Sequence, residues 1–328
     1  MTGLLASELL ASIPSPSKAT IGPLHAYGLM IALGVLAAAW LMGRRMEHDR
    51  IGVRDDAYGI AMWAVPFGVI GARLYHVVTK WEDFRHDLPR IVKVWQGGLG
   101  IWGGIALGVV AGVVVMKRRR LAASRTLACA VPALPLAQAI GRWGNWWNQE
   151  LFGRPTTLPW GLKIDEAHRP DQYLTSTTFH PTFLYESLWN LALCGFLLWY
   201  DRKHQHRVRG GRLLAMYAVG YTLARFFIEG LRVDEAHHIG GLRVNEWVSI
   251  AVGGIALIYL VASSRNPYVP VGLTPDVVAD ALHLPAVGVE HAVGGEELVD
   301  DLDDLGDPLV EAADDVDEAP ADDLDLET

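Results

Sequence analysis

In the run GRWGNWWNQELFGRPT, Gly141 to Thr156, the polar side chains Arg142, Asn145, Asn148, Gln149 and Glu150 stand where an apolar segment ends. A charged side chain at membrane depth costs roughly 2.5–3.5 kcal/mol on insertion scales, so such groups usually face a polar cavity with a task. A second stripe, Tyr221, Arg225, Glu229 and Arg232, recurs at four- and three-residue spacing in another apolar segment. Residues at that spacing share one helix face, and Arg225 and Glu229 are placed to pair along it. Arginine offers a planar fork of donors matched to phosphate. Two such stripes in one chain predict an anionic ligand held inside a membrane protein.

If the helix continues through the first motif, Arg142, Asn145 and Gln149 share a face. Gly141 and Gly144 thin that helix and permit close approach of a backbone or a head group. Glu150 is suited to orienting an arginine or to proton transfer, and Gly153 and Pro155 then turn the chain. Further candidates are Tyr27 in HAYGLM, Arg73 in GARLYHVV, and the pair His180 and Glu186 in HPTFLYES. Arg73 is expected to line the same cavity or to snorkel outward. His180 has the chemistry of a general base, or of a hydrogen-bonded structural histidine. GGLGIWGG, from Gly97, has the small residues of close helix packing.

The elements that must position these groups are apolar. The chain has 328 residues, 51% of them hydrophobic, and a net charge of −9. That average hides two unlike parts. Beyond Arg265 there is no Lys or Arg, whereas 19 Asp and Glu lie between Asp276 and Glu327; the remainder carries a net +10. The tail, 266–328, has the composition of a disordered extension. Cys129 and Cys194, each in an apolar stretch, supply neither a disulfide framework nor a metal cluster. No His pair or carboxylate cluster has ligand spacing, so no metal or other cofactor is expected, and no nucleic acid.

Seven apolar segments, near 24–43, 57–78, 99–116, 126–142, 183–200, 211–231 and 244–263, approach the length that crosses a bilayer. Basic residues cluster after the first, third and fifth: Arg44, Arg45, Arg50 and Arg54; Lys117 to Arg120 with Arg125; and Arg202, Lys203, Arg207, Arg209 and Arg212. The positive-inside rule places these loops, and the C-terminus, in the cytoplasm and the N-terminus outside. Expected are an extracytoplasmic segment 1–23, an all-α transmembrane body 24–265 of about seven helices with a small periplasmic head, and a disordered cytoplasmic tail 266–328.

GRWGNWWNQELFGRPT, HPTFLYES and YTLARFFIEGLR resemble the signatures of prolipoprotein diacylglyceryl transferases, with YGLM, GARLYHVV and GGLGIWGG adding to the match. The resemblance runs from about Leu24 to Ser263, and the composition and long acidic tail resemble actinobacterial members. It implies a seven-helix body with a periplasmic head in the bacterial inner membrane. The implied activity moves the diacylglyceryl group of phosphatidylglycerol to the lipobox cysteine thiol of a prolipoprotein, forming a thioether and releasing glycerol phosphate. The implied partners are therefore phosphatidylglycerol, prolipoprotein signal peptides and membrane lipids. The matched positions are Tyr27, Arg142, Asn145, Glu150, Gly153, His180, Tyr221, Arg225 and Glu229. Tyr27, Arg142, Asn145, Glu150, His180 and Arg225 are expected to be catalytic. Arg142, Asn145, Gly153, Tyr221, Arg225 and Glu229 are expected to bind the lipid.

Two positions depart from the family pattern: Trp146 replaces a common Phe, and Trp102 stands where many members carry a histidine. The proton acceptor is then His180, a carboxylate or the lipid phosphate. The chemistry is alkyl transfer, in which a thiolate attacks the glycerol carbon beside a phosphate that gathers negative charge as it leaves. The rival reading is a transporter or channel for an anionic solute. It lacks the internal repeats that many transporters show.

Overall fold

The computed structural model describes residues 12–22, 24–94, 97–234, 236–265 and 268. The acidic tail 272–328, a separate unit, and the first eleven residues lie outside the described residues, as therefore does the expectation of tail disorder. The described chain is mostly helical. Helices α1 (Ala26–His48), α2 (Arg54–Thr79), a one-turn α3 (Trp81–Phe84) and α4 (Ile101–Arg118) come first; α5 (Ala123–Ala130), α6 (Ala133–Asn148), α7 (Thr182–Lys203), α8 (Gly210–Leu231) and α9 (Val244–Ala262) follow. Three antiparallel two-residue strand pairs, β1–β2 (Thr20–Ile21, Leu24–His25), β3–β4 (Leu162–Lys163, Thr178–Phe179) and β5–β6 (His238–Ile239, Leu242–Arg243), join loops rather than build a sheet.

Among the described residues four helices are long and apolar enough to cross a membrane: α1, α2, α4 and the segment Val244–Arg265 that contains α9. Helices α7 and α8 each have 22 residues, but Glu186, Asn190, Arg225 and Glu229 dilute their apolar character. Large apolar side chains such as Met62, Ile105, Phe227 and Ile258 stand exposed on the outer faces, as a hydrocarbon surround requires. The expected segment 126–142 is not one helix. Val131 and Pro132 form a turn between α5 and α6, because Pro132 has no N–H with which to continue the ladder. Pro135 is accommodated in the first turn of α6, where backbone N–H groups need no helical partner. Helix α6 then continues past residue 142 to Asn148.

Close packing of α2 against α4 rests on missing side chains. A Cβ at Gly103 would lie 2.2 Å from the Gly71 carbonyl oxygen, and one at Gly71 would lie 2.3 Å from that of Gly103. The Gly-rich run is therefore a packing surface, with Trp102 exposed in the first turn of α4. Arg73 neither enters the site cavity nor snorkels outward. It is 5% exposed, and its guanidinium donates to the carbonyls of Arg90, Ile91, Lys93, Gly97 and Gly98. One fork thus satisfies a carbonyl-rich turn that no helix can serve. Replacing Gly103 with Val must push the two helices apart. The variant is expected to lose at least the ~1–3 kcal/mol typical of overpacking, read as a lower thermal midpoint in detergent.

Candidate functional site

The two arginine stripes meet at one carboxylate. Glu186, on the first turns of α7 and 5% exposed, accepts from Arg142 Nη2 of α6 at 2.6 Å and from Arg225 Nη1 of α8 at 3.3 Å. Arg225 Nη2 continues to Glu229 at 2.6 Å, one turn along α8. Glu229, fully buried, also takes Arg232 Nη1 at 3.2 Å, Arg243 Nε at 3.3 Å and the Asn245 amide at 3.1 Å. Arg232 and Arg243 both reach Asp234, at 2.7 and 2.9 Å. Burial alone would raise the pKa of Asp234, but its bonds to Arg232 and the charge of Arg243 outweigh that and hold the carboxyl below its ordinary range. Four guanidiniums therefore share three carboxylates. A fourth carboxylate, buried Glu246, accepts from the Arg243 backbone N–H at 2.7 Å at the edge of the same seam.

The end of α6 extends this seam outward. Arg142 Nη1 donates to Asn145 Oδ1 at 3.4 Å, and Asn145 Nδ2 donates to Glu150 at 2.7 Å. Gln149 does not share that face. It closes the helix in the left-handed conformation and turns away, donating to Asp165 and to the Pro16 carbonyl. Leu151 is also left-handed, with φ 59°, so Glu150 sits between two backbone positions that ordinary side chains avoid. Such strain persists only where surrounding bonds over-determine it; here the bonds of Gln149 to Asp165 and of Glu150 to Asn145 do so. Glu150 is exposed, and among the described residues no guanidinium pairs with it. Glu186 and Glu229, by contrast, are bound by arginines.

Tyr27 at the start of α1 lies against the seam helix: a Cβ at Gly144 would come within 2.7 Å of its ring. Glycine at 144 is what lets the tyrosine reach this depth. Tyr221 is one turn from Arg225, stacked on Tyr217 with centroids 5.8 Å apart and packed on the apolar cluster that includes Leu193 and Leu197. Gly153 is a junction. Its N–H donates to the His180 carbonyl at 2.9 Å, it pairs with Arg232 at the end of α8, and a Cβ there would lie 2.7 Å from that of His180. His180 Nδ1 lies 3.2 Å from the Tyr185 hydroxyl, which also accepts from Trp160 Nε1. Desolvation lowers the pKa of His180 below its ordinary 6.5, so the imidazole is neutral at pH 7. His180 is thus tied to the seam through backbone, and its ring meets the Tyr185 hydroxyl rather than the seam's charges.

Sequence reasoning saw Glu186 only as a residue flanking α7, and missed Arg243, Asn245 and Asp234. A lone arginine at the start of an apolar segment reads as an interfacial anchor, and no spacing rule links it to Glu229 on another helix. Beside the seam a polar cavity of about 810 Å³ opens, lined by Arg154, Tyr173, Arg232, Asp234 and Arg243. An apolar cavity of about 440 Å³ lies among Trp189, Leu193, Phe196, Met216 and Val219, on the α7 and α8 turns adjoining Glu186 and Arg225.

A helical body with apolar outer faces and a buried seam of arginines and carboxylates defines a helical membrane protein with an ionic site in its interior. The family profile of prolipoprotein diacylglyceryl transferase matches residues 16–262. The chain is 48% identical over 267 residues to phosphatidylglycerol–prolipoprotein diacylglyceryl transferase 2 of Streptomyces coelicolor, covering 79% of this chain and 83% of that protein. It is 45% identical to the Frankia alni enzyme of that name, with 79% and 70% covered, and 44% identical to that of Streptomyces griseus, with 78% and 79%. The chain belongs to the prolipoprotein diacylglyceryl transferase family.

Glu186→Gln leaves Arg142 and Arg225 facing each other without their shared carboxylate. Removing one partner of a buried ionic group costs about 3–5 kcal/mol, so this variant is expected to unfold at a clearly lower temperature in detergent. Glu186→Asp, which keeps the charge, is expected to recover part of the loss.

Proposed function

We infer that this protein is a phosphatidylglycerol–prolipoprotein diacylglyceryl transferase of a bacterial inner membrane. It moves the diacylglyceryl group from phosphatidylglycerol to the thiol of a prolipoprotein cysteine. A sulfur–carbon bond forms at the glycerol carbon that bears the phosphate. The carbon–oxygen bond to phosphate breaks, glycerol phosphate leaves with the electron pair, and the thiol proton passes to a base.

The observation that supports a site for this chemistry is the sharing of Glu186 by Arg142 and Arg225. The carboxylate holds two guanidiniums from different helices in one place, and their convergent donors suit a phosphate on which charge is growing. Preorganised cations of this kind need no reorganisation during reaction and are worth most where water is scarce. In this reading Arg142 and Arg225 hold the phosphate, and Glu229 fixes Arg225 while itself held by Arg232 and Arg243. Glu150 orients the Asn145 amide so that its oxygen faces Arg142, and Tyr27 and Tyr221 flank the head group. Gly153 keeps the loop that bears His180 against the end of α8. The polar cavity beside Arg232 gives the glycerol phosphate room, and the apolar cavity beside Trp189 suits an acyl chain. In this reading neutral His180 is the proton acceptor, because Glu186 and Glu229 are bound by arginines and Glu150 is engaged by the Asn145 amide.

Seven spans are proposed: α1, α2, α4, the α5–α6 pair, α7, α8 and α9. The body is 24–265, and the segment 1–23 and the head built from β3, β4 and their loops lie outside. The arginines at the ends of α1, α4 and α7 lie inside, as does the tail 266–328. The positive-inside rule supports this orientation.

Purified protein incubated with phosphatidylglycerol and a lipobox peptide is expected to add a diacylglyceryl mass to the cysteine. Arg225→Lys keeps the charge but loses the fork, and is expected to lower the rate by about 10²–10³-fold, the cost of one transition-state donor. Full activity in Arg225→Lys would remove the bidentate role. An anion flux through liposomes that carry the protein, with no mass change on the peptide, would favour transport instead.

A pH profile tests His180 separately. Because its pKa is lowered, the neutral form favoured by folding prevails at and above pH 6.5. The stability this contributes is lost as pH falls from 6.5 to the lower folded value, and activity should fall as pH drops through that folded value. His180→Gln is expected to abolish that limb of the activity profile; a limb that survives the substitution would assign the proton to another group.

A further inference from the structure

At the far ends of α1 and α7 a second cationic constellation lies outside the site already described. A cavity of about 310 Å³ there is lined by Arg44, Arg45, His48, Arg202 and His206, with Trp40, Leu41 and Leu198 on its other wall. No carboxylate lines it. Two carboxylates stand behind it and are already bound. Asp201 is fully buried against Arg45 at 2.6 Å and His206 at 3.1 Å; Asp49 holds Arg125 at 2.7 Å and lies near both His48 and His206. The guanidiniums at the mouth are not neutralised. Arg44 and Arg202 are exposed, neither has an acidic partner among the described residues, and Arg44 stacks over the Trp40 ring at 5.6 Å.

Position excludes the lipid bound at the catalytic seam. Tyr27 and Arg44 lie near opposite ends of α1, and Glu186 and Arg202 near opposite ends of α7. At about 1.5 Å per residue these pairs are separated by roughly 24–26 Å along their helices, close to the ~30 Å of a hydrocarbon core. A head group at one end and a head group at the other belong to opposite leaflets.

We propose that the Arg44–Arg202 pocket is a binding site for the phosphate of an anionic phospholipid in the leaflet opposite the catalytic seam. The two unpaired guanidiniums supply the donors for a phosphodiester, with His48 and His206 beside them. Trp40, Leu41 and Leu198 receive the first carbons of the chains, and the indole sits at the depth where amphipathic rings settle. The apolar wall selects a lipid over a soluble phosphate, because a free anion would leave it wet. A divalent cation held by His48, Asp49 and His206, whose candidate ligand atoms lie within 4.8 Å of one another, is the competing occupant. It is disfavoured because Asp49 already neutralises Arg125 and the surrounding guanidiniums repel a cation.

The experiment is native mass spectrometry of the full chain released from nanodiscs of phosphatidylglycerol and phosphatidylcholine. The double variant Arg44→Gln/Arg202→Gln is expected to retain one fewer anionic lipid than the wild type, and Arg44→Lys/Arg202→Lys to retain most of that lipid. Peptide modification should continue in both, because neither residue belongs to the catalytic seam; this separates failure of the pocket from failure of the transferase reading. An unchanged count of retained anionic lipids in the glutamine variant would overturn the proposal. So would glycerol phosphate displacing that lipid from the wild type, or zinc that binds the wild type, fails to bind His206→Ala and lowers the lipid count to that of the glutamine variant.

Discussion

A carboxylate that is nearly devoid of solvent must be neutralised by its surroundings, and Glu186 imposes that demand on three helices at once. Helix α6 answers with Arg142 and α8 with Arg225, so neither can slide or rotate freely against α7. The same demand repeats at Glu229, where α8, the chain after it and the start of α9 supply Arg225, Arg232, Arg243 and Asn245. In a medium without water the alternative to such pairing is an uncompensated charge, whose cost exceeds most other terms in the fold. Packing of the apolar faces offers no comparable directional force, because lipid tails contact those faces as well as neighbouring helices do.

The seam does more than join helices, because its guanidiniums stand beside a polar cavity lined by Arg232, Asp234, Arg243 and Glu246. The glycines that border the seam serve this arrangement by absence. Gly144 admits the Tyr27 ring, and Gly153 lets the loop after α6 pass between His180 and the end of α8. The opposite end of the bundle repeats the logic with different partners, Arg45 with Asp201 and Arg125 with Asp49, leaving Arg44 and Arg202 unmatched at the mouth.

How much of the site could be read beforehand depended on whether partners lay on one helix. Arg225 and Glu229 are four residues apart, so their pairing was legible from spacing alone. Arg142 and Asn145 were legible for the same reason, at three residues. Gln149 was misplaced on that face because the helix ends one residue earlier and the backbone turns left-handed there. Arg73 was expected in the cavity or at the membrane edge, yet it serves the carbonyls of the loop after α3, an acceptor set that leaves no trace in side-chain pattern. The single segment expected over 126–142 divides at Pro132, whose breaking effect depends on whether neighbours can satisfy the freed carbonyls.

The sequence by itself determined the class of solvent, the helical character, and the identity of the residues too costly to bury without purpose, because transfer energies and helical periodicity are local properties of the chain. It also carried the family likeness in its three signature runs. Only the tertiary structure decided that Glu186 joins the two arginine stripes, that Arg243 completes the shell around Glu229, and that Arg44 and Arg202 share one pocket. Ion pairing between helices depends on rotation and depth, and those are fixed by the simultaneous packing of every element, which no one segment encodes.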